Sequence, residues 1–222
     1  MGDAARKSAL YDAFARTGKA LSSGKRLELL DLLAQGERTV DALAKAAGLN
    51  LTTASAHLQT LKQSGLVATR REGVRIHYRL AGDDVAALYA LLRQVAQAHQ
   101  ADVEPARTAY LGTDGAEEVG RVELLARVAA GEVVVLDVRP AEEYAAGHIP
   151  GALSIPVEEL AGRIIELPDD AEVVAYCRGA YCVLAHDAVR LLHERGRRAL
   201  RLTDGMLEWR LAELPVDTGL AA

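Results

Sequence analysis

Cysteine is scarce in this chain: 222 residues hold two, Cys177 and Cys182. Two cysteines cannot build the disulfide framework of a small secreted scaffold. Aromatic residues make up only 4% of the chain, so its interior must be assembled mainly from Ala, Leu and Val. No apolar run approaches the roughly 18 residues of a membrane span, and no membrane partner is expected. The opening residues, Met-Gly-Asp-Ala-Ala-Arg-Lys-Ser, have no long apolar stretch of the secretory kind. With the cysteine usage, this predicts a reducing, cytoplasmic setting. Lysine is missing from the second half. Residues 1–111 carry 15 basic and 11 acidic side chains, and the remainder 11 and 20. A basic half joined to an acidic half predicts two domains, 1–111 and 112–222, the first of which meets nucleic acid.

Both cysteines fall in one stretch, Tyr176-Cys177-Arg178-Gly179-Ala180-Tyr181-Cys182-Val183. The run Val173–Tyr176 before it is short, apolar and partly β-branched, and reads as a buried strand. Residues 183–192 have helical spacing and stop at Gly196. A cysteine therefore stands where a strand ends, a tight loop curls and a helix begins, the place where open α/β sheets bind ligands. Loop amides and a helix N-terminus favour negative charge there, which is expected to lower the Cys177 thiol pKa and make it a nucleophile. Gly179 is expected to let the loop curl, and Arg178 to add positive charge. Residues 178–182 form the candidate anion-binding loop. A buried structural cysteine beside an ordinary strand–helix turn fits the same residues.

The first half reads as helices. The spacing predicts helices over 4–21 and 25–34, then a short one over 40–47 capped by Thr39. Gly48-Leu49-Asn50 turns into a helix from Leu51 to Gln63, which makes a helix-turn-helix. One face of that helix is small and polar: Thr52, Thr53, Ser55, His57 and Gln59 suit base edges and phosphates in a major groove. Leu58 and Leu61 are left to anchor it. Residues 65–80 then predict a hairpin with a basic tip, whose Arg70, Arg71 and Arg75 suit phosphates. A last helix is expected from Asp83 to about Tyr110, with Val85, Leu88, Leu92, Val95 and His99 as a near-heptad seam.

Ser55-x-His57-Leu58-x-x-Leu61, followed by Gly65-Leu66-Val67 and the hairpin, resembles the ArsR/SmtB family of winged-helix repressors over residues 8–100. The resemblance implies a homodimer on a palindromic, double-stranded operator, joined through the first and last helices. Members of that family often sense metals, but the usual ligands are not in place. Residues 39–64 contain no cysteine, Ala86 stands where an imidazole belongs after Asp84, and His99-x-x-Asp102 is half a site. No metal and no cofactor are expected.

After the linker Thr113–Ala116 the pattern changes. A helix is expected from Glu117 to Ala129, then strands at 133–137, 153–156, 173–176 and 199–202 alternate with short helices, which predicts a parallel sheet covered on both faces. The fold class is therefore a mainly α winged helix-turn-helix followed by an α/β domain. Leu136-Asp137-Val138-Arg139, Glu143-Tyr144-x-x-Gly147-His148-Ile149-Pro150-Gly151-Ala152, the cysteine loop and Asp204-Gly205-x-x-x-Trp209 together resemble a single rhodanese domain. That resemblance implies that Cys177 accepts a sulfane sulfur as a persulfide and hands it to a thiol or cyanide. Asp137, Arg139 and His148 match family positions and read as scaffold. Rhodanese-like phosphatases and arsenate reductases use Cys-x5-Arg, whereas Val183 stands there. Many sulfurtransferases place a cation five residues after the cysteine, and here that residue is Cys182, a candidate resolving thiol.

Two functions remain open on the sequence. In one, the chain is a repressor whose rhodanese domain senses reactive sulfur through Cys177 and Cys182. In the other, it is a sulfurtransferase, moving sulfur from thiosulfate or a persulfide to a thiol acceptor, and the winged helix serves oligomerisation or localisation.

Overall fold

The computed structural model describes residues 2–112 and 115–219. Of the expected linker, Thr113 and Asp114 lie outside the described residues. By packing, the chain divides into two compact units, residues 1–89 and 90–222.

The first unit contains α1 (Gly2–Leu21), α2 (Gly24–Ala34), β1 (Arg38–Thr39), α3 (Val40–Ala46), α4 (Leu51–Gln63), β2 (Val67–Glu72), β3 (Arg75–Leu80) and the start of α5 (Asp83–His99). Leu29, Leu30, Leu43, Leu58 and Leu61 are each 0% exposed and form its core, every such side chain contributing about 1.5–3 kcal/mol by leaving water. Local chemistry sets the helix starts. Thr39 Oγ1 accepts from the Ala42 amide at 3.3 Å, and Asn50 Oδ1 from the Thr53 amide at 2.8 Å, each satisfying a donor that the helix leaves open. Gly48, at φ 60°, makes the left-handed turn between α3 and α4. β2 and β3 pair antiparallel from Val67↔Leu80 to Glu72↔Arg75, and β1 adds to the far edge of β3. That third strand was not expected.

In the second unit follow the rest of α5, α6 (Val103–Leu111), β4 (Glu118–Val119), α7 (Arg121–Ala129), β5 (Val133–Asp137), α8 (Ala141–Ala146), β6 (Leu153–Ser154), α9 (Val157–Arg163), β7 (Glu172–Tyr176), α10 (Val183–Glu194), β8 (Ala199–Leu202) and α11 (Met206–Leu211). The single helix expected over 83–110 is two, broken at Gln100–Asp102. Pro105 accounts for the break: its ring clashes with the carbonyl four residues back, so a continuous helix cannot pass Ala101, whereas the first turn of α6 accommodates it. The helix expected from Glu117 begins only at Arg121, because Glu118 and Val119 pair with β8 instead.

The sheet runs β4-β8-β7-β5-β6, all parallel. Side chains on a strand alternate between faces, and β7 serves both. Val173 and Ala175, continued by Cys177, pack with Leu160 of α9 and with Ala185, Ala188, Val189 and Leu192 of α10. Val174 and Tyr176 pack with Leu124 of α7, Tyr144 of α8, and Met206 and Trp209 of α11. The pleat thus aims Cys177 towards α10.

Candidate functional site

The cysteine loop lies between β7 and α10, gripped from one side by α11. The Met206 and Leu207 amides donate to the Cys177 and Arg178 carbonyls, both at 3.0 Å. A Cβ on Gly205 would overlap the Gly179 amide nitrogen and the Cys177 carbonyl oxygen, which is why the Asp-Gly-x-x-x-Trp pattern needs glycine there. Trp209, fully buried, anchors the motif by donating to the Pro215 carbonyl at 2.8 Å. Gly179 is outside the left-handed region, and its small size matters because a Cβ would come to 3.0 Å from a Glu208 oxygen.

Both thiols are free and buried, Cys177 at 2% exposure and Cys182 at 9%. Cys177 Sγ lies 3.9 Å from the Gly179 carbonyl oxygen. Cys177 Sγ donates to the Cys182 carbonyl at 3.3 Å. Burial, then its hydrogen bond to Cys182, pushes the Cys177 thiol well above the usual thiol range. The hydrogen bond from Cys177, then the Arg178 charge, outweighs burial and draws Cys182 down. This runs against the expectation of a depressed Cys177: the direction is upward for Cys177 and downward for Cys182, the N-cap of the twelve-residue α10. A lower pKa means that thiolate forms at lower pH. Substoichiometric iodoacetamide at neutral pH is therefore expected to label Cys182 before Cys177, with Cys177 gaining as pH rises. Peptide mass mapping checks this, and equal labelling at pH 7 contradicts it.

Arg178 is spoken for. Its Nε and Nη2 donate to the Glu143 carboxylate at 2.6–3.0 Å. Glu143 is 1% exposed, so this pair ties the loop to α8. Arg139 and Asp137, both 0% exposed, form a second pair, with Arg139 also donating to the Gly147 carbonyl at 2.8 Å and Tyr176 Oη to Asp137 at 2.6 Å. His148 stacks on Tyr144 at 3.6 Å, its Nδ1 2.9 Å from the Tyr144 carbonyl. Asp137 and Arg139 pair with each other, Arg139 reaches the carbonyl next to His148, and none of the three lines the cavity beside the thiols.

That cavity, of about 300 Å³, is lined by Gly179, Ala180, Tyr181, both cysteines, Asp204 of the Asp-Gly-x-x-x-Trp pattern, and residues that the sequence did not single out: Gln97, Arg107, Glu118, His186, Arg201 and Thr203. Arg201 is opposite Ala175 in the β7–β8 register and shares the face of Cys177. At 8% exposure it pairs with Glu118 and donates to the His186 imidazole. A lone arginine inside the run Ala199–Leu202 was the available signal. At the loop's outer wall, Tyr181 Oη donates to Gln97 Oε1 at 2.5 Å, and the Arg93 guanidinium lies 4.9 Å from the Tyr181 ring centroid. Arg93 also pairs with Glu208, whose carboxylate accepts from the Gly205 amide at 3.1 Å.

In the first unit, Thr52 and Gln59 are exposed on α4, while Thr53, Ser55 and His57 are partly covered. Gln59 donates to Tyr78 Oη at 3.1 Å, fastening α4 to the hairpin. Arg71 and Arg75 are exposed at the hairpin tip. Arg70 is held by Glu37 at 2.6 Å and Glu72 at 2.8 Å.

Comparison with known proteins finds sequence matches in both halves. Residues 23–69 match the family model described as a bacterial regulatory protein of the arsR family, and residues 121–212 the rhodanese-like domain. The chain is 61% identical over 218 residues to the HTH-type transcriptional regulator Rv0324 of Mycobacterium tuberculosis, covering 98% of this chain and 96% of that one. It is 35% identical over 101 residues to a sulfurtransferase of Allochromatium vinosum, covering 45% and 92%. A solution structure of a homodimeric winged helix-turn-helix DNA-binding domain from Mycobacterium bovis is 63% identical, with a TM-score of 0.41, covering 43% of this chain and 88% of that one. The chain therefore belongs to the ArsR family of helix-turn-helix transcriptional regulators and carries a rhodanese-like domain in its second half.

Proposed function

We propose that this regulator is a cytoplasmic, operator-binding homodimeric repressor whose rhodanese-like domain senses reactive sulfur. Functionally, residues 1–111 bind DNA and dimerise, and residues 112–222 carry the sulfur chemistry. Dimerisation is supported by apolar side chains open to water: Leu10, Tyr11 and Phe14 on α1, and Leu88, Leu91 and Val95 on α5.

The observation that carries the sensing reading is that α5 serves both units. Its first turns pack with the helix-turn-helix, and its later residues Arg93 and Gln97 hold Tyr181 and Glu208 around the cysteine loop. A sulfur atom added to the loop acts on contacts made by the same helix whose open face is the proposed dimer seam. In the chemical step the Cys182 thiolate takes the Cys177 proton as Cys177 attacks a sulfane sulfur. A Cys177–S bond forms, the donor's S–S bond breaks and its electron pair leaves with the donor thiolate or sulfite. Amides of the loop and of the first turn of α10 would hold an anionic persulfide. Subsequent attack of Cys182 on Cys177 Sγ, its proton passing to the departing sulfur, releases hydrosulfide and leaves a disulfide.

The test is operator-fragment binding by wild type and Cys177→Ser, before and after polysulfide treatment, with intact mass on each sample. Wild type is expected to gain sulfur mass and lose DNA affinity, and Cys177→Ser to keep its DNA affinity whatever sulfur Cys182 takes up. Persulfidation without a change in DNA affinity rejects the sensor. The cavity beside the thiols favours the second reading, a working sulfurtransferase, which predicts multiple turnovers with excess thiol acceptor regardless of DNA.

A further inference from the structure

We propose that the cavity beside Cys177 and Cys182 is a binding site for a zwitterionic low-molecular-weight thiol persulfide, a deeper statement of the sulfur-sensing reading on which it rests. Three observations converge. The first is size: the cavity is about 300 Å³, roughly ten times the ~30 Å³ share of one water in the liquid and within the range of pockets that enclose whole small molecules. A sulfate-sized donor such as thiosulfate leaves most of it to solvent.

The second is charge. Arg201 and Arg107 line the cavity together with Glu118 and Asp204. Arg201 pairs with Glu118, Arg107 with Glu104 at 2.7 Å, and Asp204 with Arg121 at 2.8 Å. A simple anion entering these walls meets as many carboxylates as guanidiniums. A molecule bearing both a carboxylate and an ammonium finds partners for each, with Arg107 and Arg201 on the first and Glu118 or Asp204 on the second. The third is the loop itself. Cys182 occupies the place of a late loop cation, and Arg178 is bound to Glu143 outside the cavity lining. The loop offers inorganic thiosulfate no second positive charge.

In the step assigned to this site, Cys177 attacks the terminal sulfur of R–S–SH while the Cys182 thiolate takes the Cys177 proton. The products are Cys177–S–SH, protonated Cys182 and the thiolate RS⁻, so atoms and charge balance without an added oxidant.

Glutathione persulfide is the probe, compared with thiosulfate and inorganic polysulfide on the full-length protein, following single-turnover sulfur uptake by intact mass. Wild type is expected to take sulfur from glutathione persulfide at least about tenfold faster than from thiosulfate at equal concentration. Arg107→Ala, on a partly exposed side chain, is expected to raise the half-saturating glutathione persulfide concentration by about 10- to 100-fold, the size of one lost charge-assisted hydrogen bond. Its uptake from polysulfide should fall less than its uptake from glutathione persulfide, and Arg201→Lys should behave in the same direction. S-methylglutathione, which cannot transfer sulfur, should protect Cys182 from iodoacetamide in wild type and less so in Arg107→Ala. Equal rates from thiosulfate, or an unchanged half-saturation in Arg107→Ala, overturn the assignment. Uptake from polysulfide alone overturns the assignment and spares the sensing reading, whereas failure with every donor overturns both.

Discussion

Asp137→Ala is expected to destabilise the second unit by about 3–5 kcal/mol, the usual cost of removing one partner from a buried ion pair. Arg139 is 0% exposed and loses its carboxylate, and Tyr176 Oη loses its acceptor at 2.6 Å. The chain supplies its own reporter, since its single tryptophan, Trp209, is fully buried in this unit. With urea slopes of about 1–3 kcal/mol/M, the Trp209 fluorescence midpoint should fall by at least about 1 M. Replacing both partners by apolar residues, Asp137→Leu with Arg139→Met, should cost less than the single change, because no uncompensated charge remains. A single substitution that leaves the midpoint in place removes the pair from the scaffold.

Arg93→Ala is expected to separate sulfur uptake from the DNA response. Arg93 is the residue of α5 that reaches both walls of the loop, pairing with Glu208 and lying over Tyr181. Neither cysteine contacts it directly, so persulfidation by polysulfide should proceed at the wild-type rate. Couplings between sites are typically about 1–3 kcal/mol, or 5–150-fold in affinity. Wild type should therefore lose operator affinity by a factor in that range on sulfur addition, and Arg93→Ala by less than about threefold. Equal loss in both proteins places the coupling elsewhere.

Much of this architecture was legible because its signals are local. Thr39 and Gly48 mark helix ends through short-range chemistry, and the apolar runs ending at Asp137 and Tyr176 need only their own composition to read as buried strands. What escaped was set by contacts distant in sequence. β1 and β4 are two residues each, too short for any period, and exist because β3 and β8 offer them an edge. Pro105 is the one local sign of the break before α6. The loop was recognisable as a site, whereas the upward push on the Cys177 thiol comes first from its burial, which depends on packing distant in sequence. Arg201 and His186 sit in apolar runs whose facing partners the sequence leaves unpaired.

The alternation along β7 has a consequence for how this molecule can change over time. Odd-numbered residues from Val173 to Cys177 face α10, and Val174 and Tyr176 face the opposite layer. Insertion or deletion of one residue in the strand would exchange the two sets at once. Tyr176 would be driven towards α10, and the sulfur turned away from the cavity into the pocket vacated by the tyrosine ring. Drift in the aim of Cys177 is thus available only in steps of two residues. Substitutions can tune the walls around the thiol gradually, but its direction is inherited as an all-or-none property of the strand.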